Sequence, residues 1–345
     1  MKTAIVLFNL GGPDGPDAVQ GFLRNLFGDP AILRVPWPIR PLLASFIASR
    51  RAATATEIYR EIGGRSPILP ETEKQAAALA ASLDDADTKV FIAMRYWHPM
   101  SDETVRAVQA WGAEQVLLVP LYPQFSTTTT QSSLDAWHHA ARRAGLRVPT
   151  RAVCCYPVLD QFVAAYAALV KDALAQTADL PTRVLFSAHG LPERIVAAGD
   201  PYVWQIEQGA AAIAAAAGLA ADDWRVSFQS RVGPLKWVGP ATDAEISAAG
   251  RDGISLVVVP IAFVSEHSET LVELDIEYRK LADASGVPRY VRVAALGVTP
   301  LFIDGLRAVV GALRGRAHDR LCSHGGGRRC PAGHSGCPVP LTESA

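Results

Sequence analysis

The feature that most constrains this chain is a rhythm: short apolar runs alternate with Ala-rich helical patterns along most of its length. Runs at residues 2–8, 89–94, 115–120 and 148–153 read as strands, with helical patterns at 70–83, 102–111 and 132–144 among them. The rhythm resumes with strands at 183–188, 225–229, 255–261 and 290–293, accompanied by helices at 157–175, 202–217, 241–248 and 268–285. Strands that are apolar throughout, rather than on alternate positions, are covered on both faces, and helical crossovers between them imply parallel pairing. The chain therefore reads as α/β, with two Rossmann-like domains whose parallel sheets are flanked by helices and a cleft between them. At 345 residues it exceeds what one core usually serves. The expected division is 1–150, 151–313 and a short tail, 314–345, too polar to bury a core of its own.

Composition removes several function classes. A net charge of −1 lacks the Lys/Arg excess that phosphate contacts demand, so nucleic acid is not an expected partner. No apolar stretch is long enough to span a bilayer. The opening apolar run is too short for a secretory signal and leads into a Gly-rich turn, as a buried first strand would. A cytoplasmic protein is expected.

In open parallel sheets ligands bind beyond the carboxyl ends of the strands, which singles out the loops at 9–14, 95–99, 122–130, 187–193, 229–240 and 262–269. The first, Asn9-Leu10-Gly11-Gly12-Pro13-Asp14, is not a dinucleotide fingerprint, because no third glycine falls at the required offset; by itself it reads as a tight turn. His189 ends a strand, and Gly190 after it permits close approach of a ligand. Taken alone, such a histidine is as readily structural. After the Val-rich strand, Phe263-Val264-Ser265-Glu266-His267-Ser268-Glu269 opens a helix that continues to place acids at Glu273 and Glu277, with Asp275 between. A step of four returns each carboxylate to nearly the same helix face, drifting by roughly 40°. Like charges at that spacing repel, so the row suits conduction of protons or cations better than structural support. A π turn would align it further. The competing reading is a solvated acidic face.

These segments, together with 59–68, 95–99, 120–126 and Gln229-Ser230-Arg231-Val232-Gly233-Pro234, resemble the ferrochelatase family, in collinear order over about residues 3–310. The resemblance implies a chelatase fold and insertion of Fe²⁺ into protoporphyrin IX to give protoheme. It implies that His189 takes pyrrole protons, that Glu269 partners it and shares the substrate iron, and that Glu273 and Glu277 form a relay. Leu10, Tyr59, Arg95, Tyr96, Ser126, Trp237, Phe263 and His267 become expected porphyrin contacts. Coproporphyrin as substrate, a cobalt chelatase of related fold, and a non-catalytic tetrapyrrole or metal carrier are the alternatives. A carrier would have little use for the acid row.

Two segments lie beside this core. Residues 34–47 are Pro-rich and then strongly apolar, with Trp37, Leu42 and Phe46 near Arg50 and Arg51. They read either as a covered core helix or, by the resemblance, as a lip touching a membrane surface. The tail carries Cys322, Cys330 and Cys337 among His318, His324 and His334. Five cysteines in a reducing compartment point to metal or free thiols. Zinc would accept three thiolates and a histidine. A [2Fe–2S] cluster, carried by some members of the resembled family, would take its fourth thiolate from Cys154 or Cys155. Animal-type members place an upstream cysteine where this chain has Thr127, so the ligand set resembles the bacterial cluster-bearing members. Both monomers and homodimers are consistent with the resemblance.

Overall fold

The computed structural model describes all residues except 232, 234, 316–320 and 342–345. It forms two compact units, Met1–Cys154 with Leu306–Cys322, and Cys155–Gly305 with the chain from Ser323 onward. The return of 306–322 to the first unit departs from a division into consecutive segments.

The first unit is built on a sheet of order β2-β1-β3-β4-β9, from β1 (Thr3–Asn9), β2 (Thr88–Met94), β3 (Gln115–Pro120), β4 (Thr150–Cys155) and β9 (Leu321–Ser323). β1 pairs in parallel with both β2 and β3, and all seven of its residues are buried. That two-sided burial is why its sequence runs apolar instead of alternating. Helices α3 (Ile68–Leu83), α4 (Ser101–Trp111) and α5 (Thr130–Ala144) correspond to the expected patterns. α1 (Val19–Gly28) was not among the expected helices, although Val19, Phe22, Leu23, Leu26 and Phe27 recur at helical spacing. The expected lip is helical only from Ile39, where it opens a much longer α2 (Ile39–Arg60).

The second unit carries a sheet of order β6-β5-β7-β8, all parallel: β5 (Thr182–His189), β6 (Trp224–Gln229), β7 (Ser255–Pro260) and β8 (Tyr290–Arg292). Around it run α6 (Asp160–Ala175), α7 (Glu193–Ala197), α8 (Tyr202–Ala217) and α9 (Thr242–Asp252). The segment expected as one helix at 268–285 is a nine-residue π-helix, Glu269–Glu277, followed by α10 (Tyr278–Ser285). A last helix, α11 (Pro300–Arg314), lay beyond the expected pattern. No described helix is long and apolar enough to cross a membrane.

Candidate active site

Because the second sheet is wholly parallel, the ends of β5, β6 and β7 project their following loops from one edge. His189 is in register with Gln229 at that edge. The His189 ring is oriented by its own neighbour: Nδ1 lies 2.6 Å from the Gly190 carbonyl. A carbonyl can only accept, so Nδ1 carries the proton and Nε2 holds the free lone pair of the neutral ring. Nε2 in turn stands 3.7 Å from Glu269 Oε1, with the two side chains 38% and 28% exposed. Gly190 is needed where it stands. A Cβ there would come within 3.0 Å of the Gln229 carbonyl oxygen and 3.2 Å of the Trp237 ring.

Glu273 lies one step behind. Its carboxylate accepts from Ser230 N–H at 2.7 Å, Gln229 Nε2 at 3.1 Å and the Tyr278 hydroxyl at 3.0 Å, and also from the Ser230 hydroxyl. Burial, and to a lesser degree the negative charge of Glu269, outweigh the Ser230 hydrogen bonds and leave its pKa above the usual carboxylate value. Ser230 holds φ +59°, a left-handed conformation that aims both of its donors at Glu273. Gln229 uses both ends of its amide: Ser187 donates to Oε1 at 2.8 Å, and Nε2 also reaches the Glu269 carbonyl at 3.1 Å. Glu277, last in the row, is exposed.

The loop after β7 is fixed from behind. The Tyr166 hydroxyl lies 2.9 Å from the Pro260 carbonyl and 2.7 Å from that of Phe263. Phe263 and Trp237 are half-buried, and the Trp237 ring lies 6.5 Å from that of His189. His267 is buried, sets its ring edge-on to Phe263 at 4.6 Å, and accepts the Glu269 N–H at Nδ1. Burial lowers its pKa. Its ring therefore packs on Phe263 and holds the first turn of the acid row. Arg292 reaches Glu266 at 2.6 Å and Asp275 at 2.5 Å. Sequence patterns did not mark Arg292 or Tyr290, and the motif at 229–234 contained Gln229 and Ser230 without showing their hydrogen-bonding role.

In the first unit, the guanidinium of Arg95, an expected porphyrin contact, is engaged by Asp29 at 2.8 Å and by Ser132 at 2.6 Å. Asp29, 2% exposed at its side chain, also accepts from the Tyr96 hydroxyl at 2.8 Å and from Ser132. Tyr96 and Tyr59 are buried in one cluster with Val19, Phe22 and Leu23, against which half-buried Leu10 packs. Ser126 is buried and bonds Thr128. Of the expected first-unit contacts only Leu10 and Arg95 keep appreciable exposure. Asp29 carried no sequence signal, although it organises the group.

All five cysteines are buried and unbridged. In the second unit the Cys330 and Cys337 thiols hydrogen-bond, which lowers the pKa of Cys337 to about 6, and the charge of Cys155 is felt at Cys330. Gln205 Nε2 also reaches Cys330 Sγ at 3.2 Å. Cys322 Sγ, in the first unit, lies 3.6 Å from the Ala152 carbonyl. Among the described residues no group of three or more His, Cys, Asp or Glu side chains is arranged to hold a metal ion. His318, Val232 and Pro234 lie outside the described residues.

Parallel sheets with flanking helices, and a strand-end histidine facing a glutamate at a helix start, define an α/β protein of the chelatase class. Solved structures agree on the fold: SirB from Bacillus subtilis with Fe³⁺ matches at TM-score 0.53 and 16% identity, covering 91% of this chain and 96% of that one. The sirohydrochlorin chelatase SirB from Bacillus subtilis subspecies spizizenii in complex with cobalt matches at TM-score 0.52 and 14% identity, covering 91% and 94%. The sequence comparisons are narrower. The ferrochelatase family signature matches residues 2–313. The ferrochelatase of Caulobacter vibrioides is 52% identical over 350 residues, covering 100% of this chain and 99% of the relative. That of Hyphomonas neptunium is 50% identical over 364 residues, with the same coverage. The chain belongs to the ferrochelatase family, and is therefore a metal chelatase of the lyase class.

Proposed function

We propose that the chain inserts Fe²⁺ into protoporphyrin IX, releasing two protons and yielding protoheme, the last step of heme formation. The observation that carries the residue roles is the tautomer of His189: with Nδ1 committed to the Gly190 carbonyl, Nε2 presents a lone pair 3.7 Å from Glu269. A neutral imidazole accepts a pyrrole proton near pH 7. Glu269 then stabilises the imidazolium that forms, or the incoming cation once the proton has left. Glu273, held partly toward its protonated form by burial, receives the proton, and exposed Glu277 passes it to water. The reaction balances as porphyrin-H₂ plus Fe²⁺ giving iron porphyrin plus two H⁺.

Iron cannot enter a flat ring easily, so walls that bend the macrocycle would expose a pyrrole lone pair. In the second unit Trp237 and Phe263 have the partly open aromatic faces for such contact. In the first unit Leu10 is assigned a contact role. The test is His189→Ala, which is expected to bind porphyrin normally while iron insertion is abolished; near-normal turnover would refute the assignment.

Two finer readings accompany this one. Trp37, Ile39, Leu42 and Phe46 are 76%, 56%, 76% and 61% exposed, and the last three recur at helical spacing along α2 with arginines at 40, 50 and 51 around them. An apolar stripe bordered by cations suits peripheral contact with an anionic membrane face, from which an apolar porphyrin arrives, and favours protoporphyrin over the more acidic coproporphyrin. The second reading is a [2Fe–2S] cluster. The donor chemistry suits it, since Cys330 and Cys337 are buried thiols, as are both candidates for the upstream ligand, Cys154 and Cys155. The thiols are not in a ligating arrangement, and no step of the reaction is assigned to the cluster.

A further inference from the structure

The π-helix is an uncommon way to present an acid row, and its far end creates a specific problem for the backbone. Its last wide turn closes with the Tyr278 N–H donating to the Glu273 carbonyl, five residues back. α10 follows in the ordinary register, where each N–H reaches four residues back. The Arg279 N–H is therefore directed to Asp275, and the carbonyl between, that of Leu274, is skipped. Leu274 is fully buried, so water cannot serve that carbonyl, and a buried backbone acceptor left unpaired is costly. The Tyr290 hydroxyl lies 2.8 Å from it.

Tyr290 is well placed to be a fixed donor. It opens β8, pairs with Leu256 of β7, and is itself buried. The Arg279 guanidinium lies over its ring at 5.1 Å and donates to its carbonyl at 2.9 Å. If the segment wound as α-helix throughout, Leu274 would regain a main-chain donor and the Tyr290 hydroxyl would lose its acceptor. The two registers thus exchange one hydrogen bond, and they differ by one residue, about 100° of rotation. That rotation separates the carboxylates of Glu269 and Glu273 from the positions in which one meets His189 and the other meets Gln229 and Ser230.

We propose that Tyr290 is a positioning residue: its hydroxyl caps the carbonyl left over at the π-to-α junction and so holds the acid row in register beside His189. The inference rests on the reading of Glu269 and Glu273 as proton-handling groups. Tyr290→Phe keeps the ring and removes only the donor. In a porphyrin metallation assay with Fe²⁺ or Zn²⁺, kcat is expected to fall about tenfold while the KM for porphyrin stays within about twofold, as for a group that acts on the chemical step and not on binding. In a Glu273→Gln background the added loss is expected to be smaller, because part of it acts through the carboxylate already removed. Unchanged kcat in Tyr290→Phe, or the same tenfold loss in both backgrounds, overturns the proposal. A crystal structure of the variant separates the two readings. An intact π-helix over 269–277 overturns the role of Tyr290 whatever the kinetics, whereas normal turnover of Glu273→Gln with the register lost in Tyr290→Phe overturns the relay and leaves the register assignment standing.

Discussion

Arg292 ties the loop after β7 to the π-helix, and its replacement by Met tests how that tie is made. The Arg292 side chain is 10% exposed, against 21% for Glu266 and 28% for Asp275. Burial opposes the guanidinium charge, but its bonds to Asp275 and Glu266 more than offset that and push its pKa up. Burial likewise raises Glu266, yet the Arg292 charge, its hydrogen bond and the Ala295 N–H together hold Glu266 below the ordinary carboxylate value. Removing one partner from a buried pair costs about 3–5 kcal/mol, because it strands the other charge. Discounted for the partial exposure of both carboxylates, Arg292→Met should cost about 2–4 kcal/mol at pH 7. At about 2–4 °C per kcal/mol for a domain of this size, Tm should fall by roughly 5–15 °C.

The sign with pH follows from Glu266. Its folded pKa lies below the unfolded value of 4.5, so its stabilisation is complete above pH 4.5 and is lost as pH falls through the folded value. The deficit of the variant should therefore narrow below pH 4.5. Adding Glu266→Gln and Asp275→Asn to Arg292→Met should restore more than half of the lost stability, because stranded charge and not lost packing is the cause. Thermal and urea unfolding measure both effects. A loss under about 1 kcal/mol, or no recovery in the triple variant, would falsify the argument.

Other outcomes follow from the same structure. Gly190→Ala places a methyl 3.0 Å from the Gln229 carbonyl, which is itself bonded to the Gly190 N–H at 2.8 Å. It should cost about 1–3 kcal/mol in urea unfolding and lower kcat by displacing the His189 ring. Trp37→Glu with Leu42→Glu should abolish co-sedimentation with anionic liposomes while leaving soluble-substrate turnover near wild type; unaltered co-sedimentation would count against the membrane stripe. Anaerobically purified protein should be coloured and contain acid-labile sulfide, with loss of both in Cys330→Ser; colourless protein with stoichiometric zinc would overturn the cluster.

Much of the site's chemistry could be read from the chain. Acids at 269, 273 and 277 repel at helical spacing, a conflict that a π turn eases and that the solvated-face reading leaves unexplained. His189, ambiguous as an isolated strand-end histidine, was legible through the collinear motifs of the family resemblance. Less legible were the residues that hold these groups. Asp29 and Tyr290 are isolated polar side chains with no repeat to mark them, and the motif holding Gln229 and Ser230 does not show which acceptors they meet. Tyr96 and His267 were visible as motif members, but their burial could not be seen from the motif. Cys154 and Cys155 illustrate the same divide: strand alternation sends them to opposite faces, but which face meets the tail depends on the packing.

The amino-acid sequence by itself determined the α/β layering, the parallel sense of the strands, the family, and the identities of the histidine and carboxylates. Those properties are periodic or local, and the burial of apolar strands and helix faces enforces them wherever the pattern occurs. Only the tertiary structure decided the proton position on His189, the register of the π-helix and the partners of Arg95 and Arg292. Each of these depends on which buried donor finds which acceptor. That pairing is set between residues far apart in the chain, by the cost of leaving any one of them unmatched.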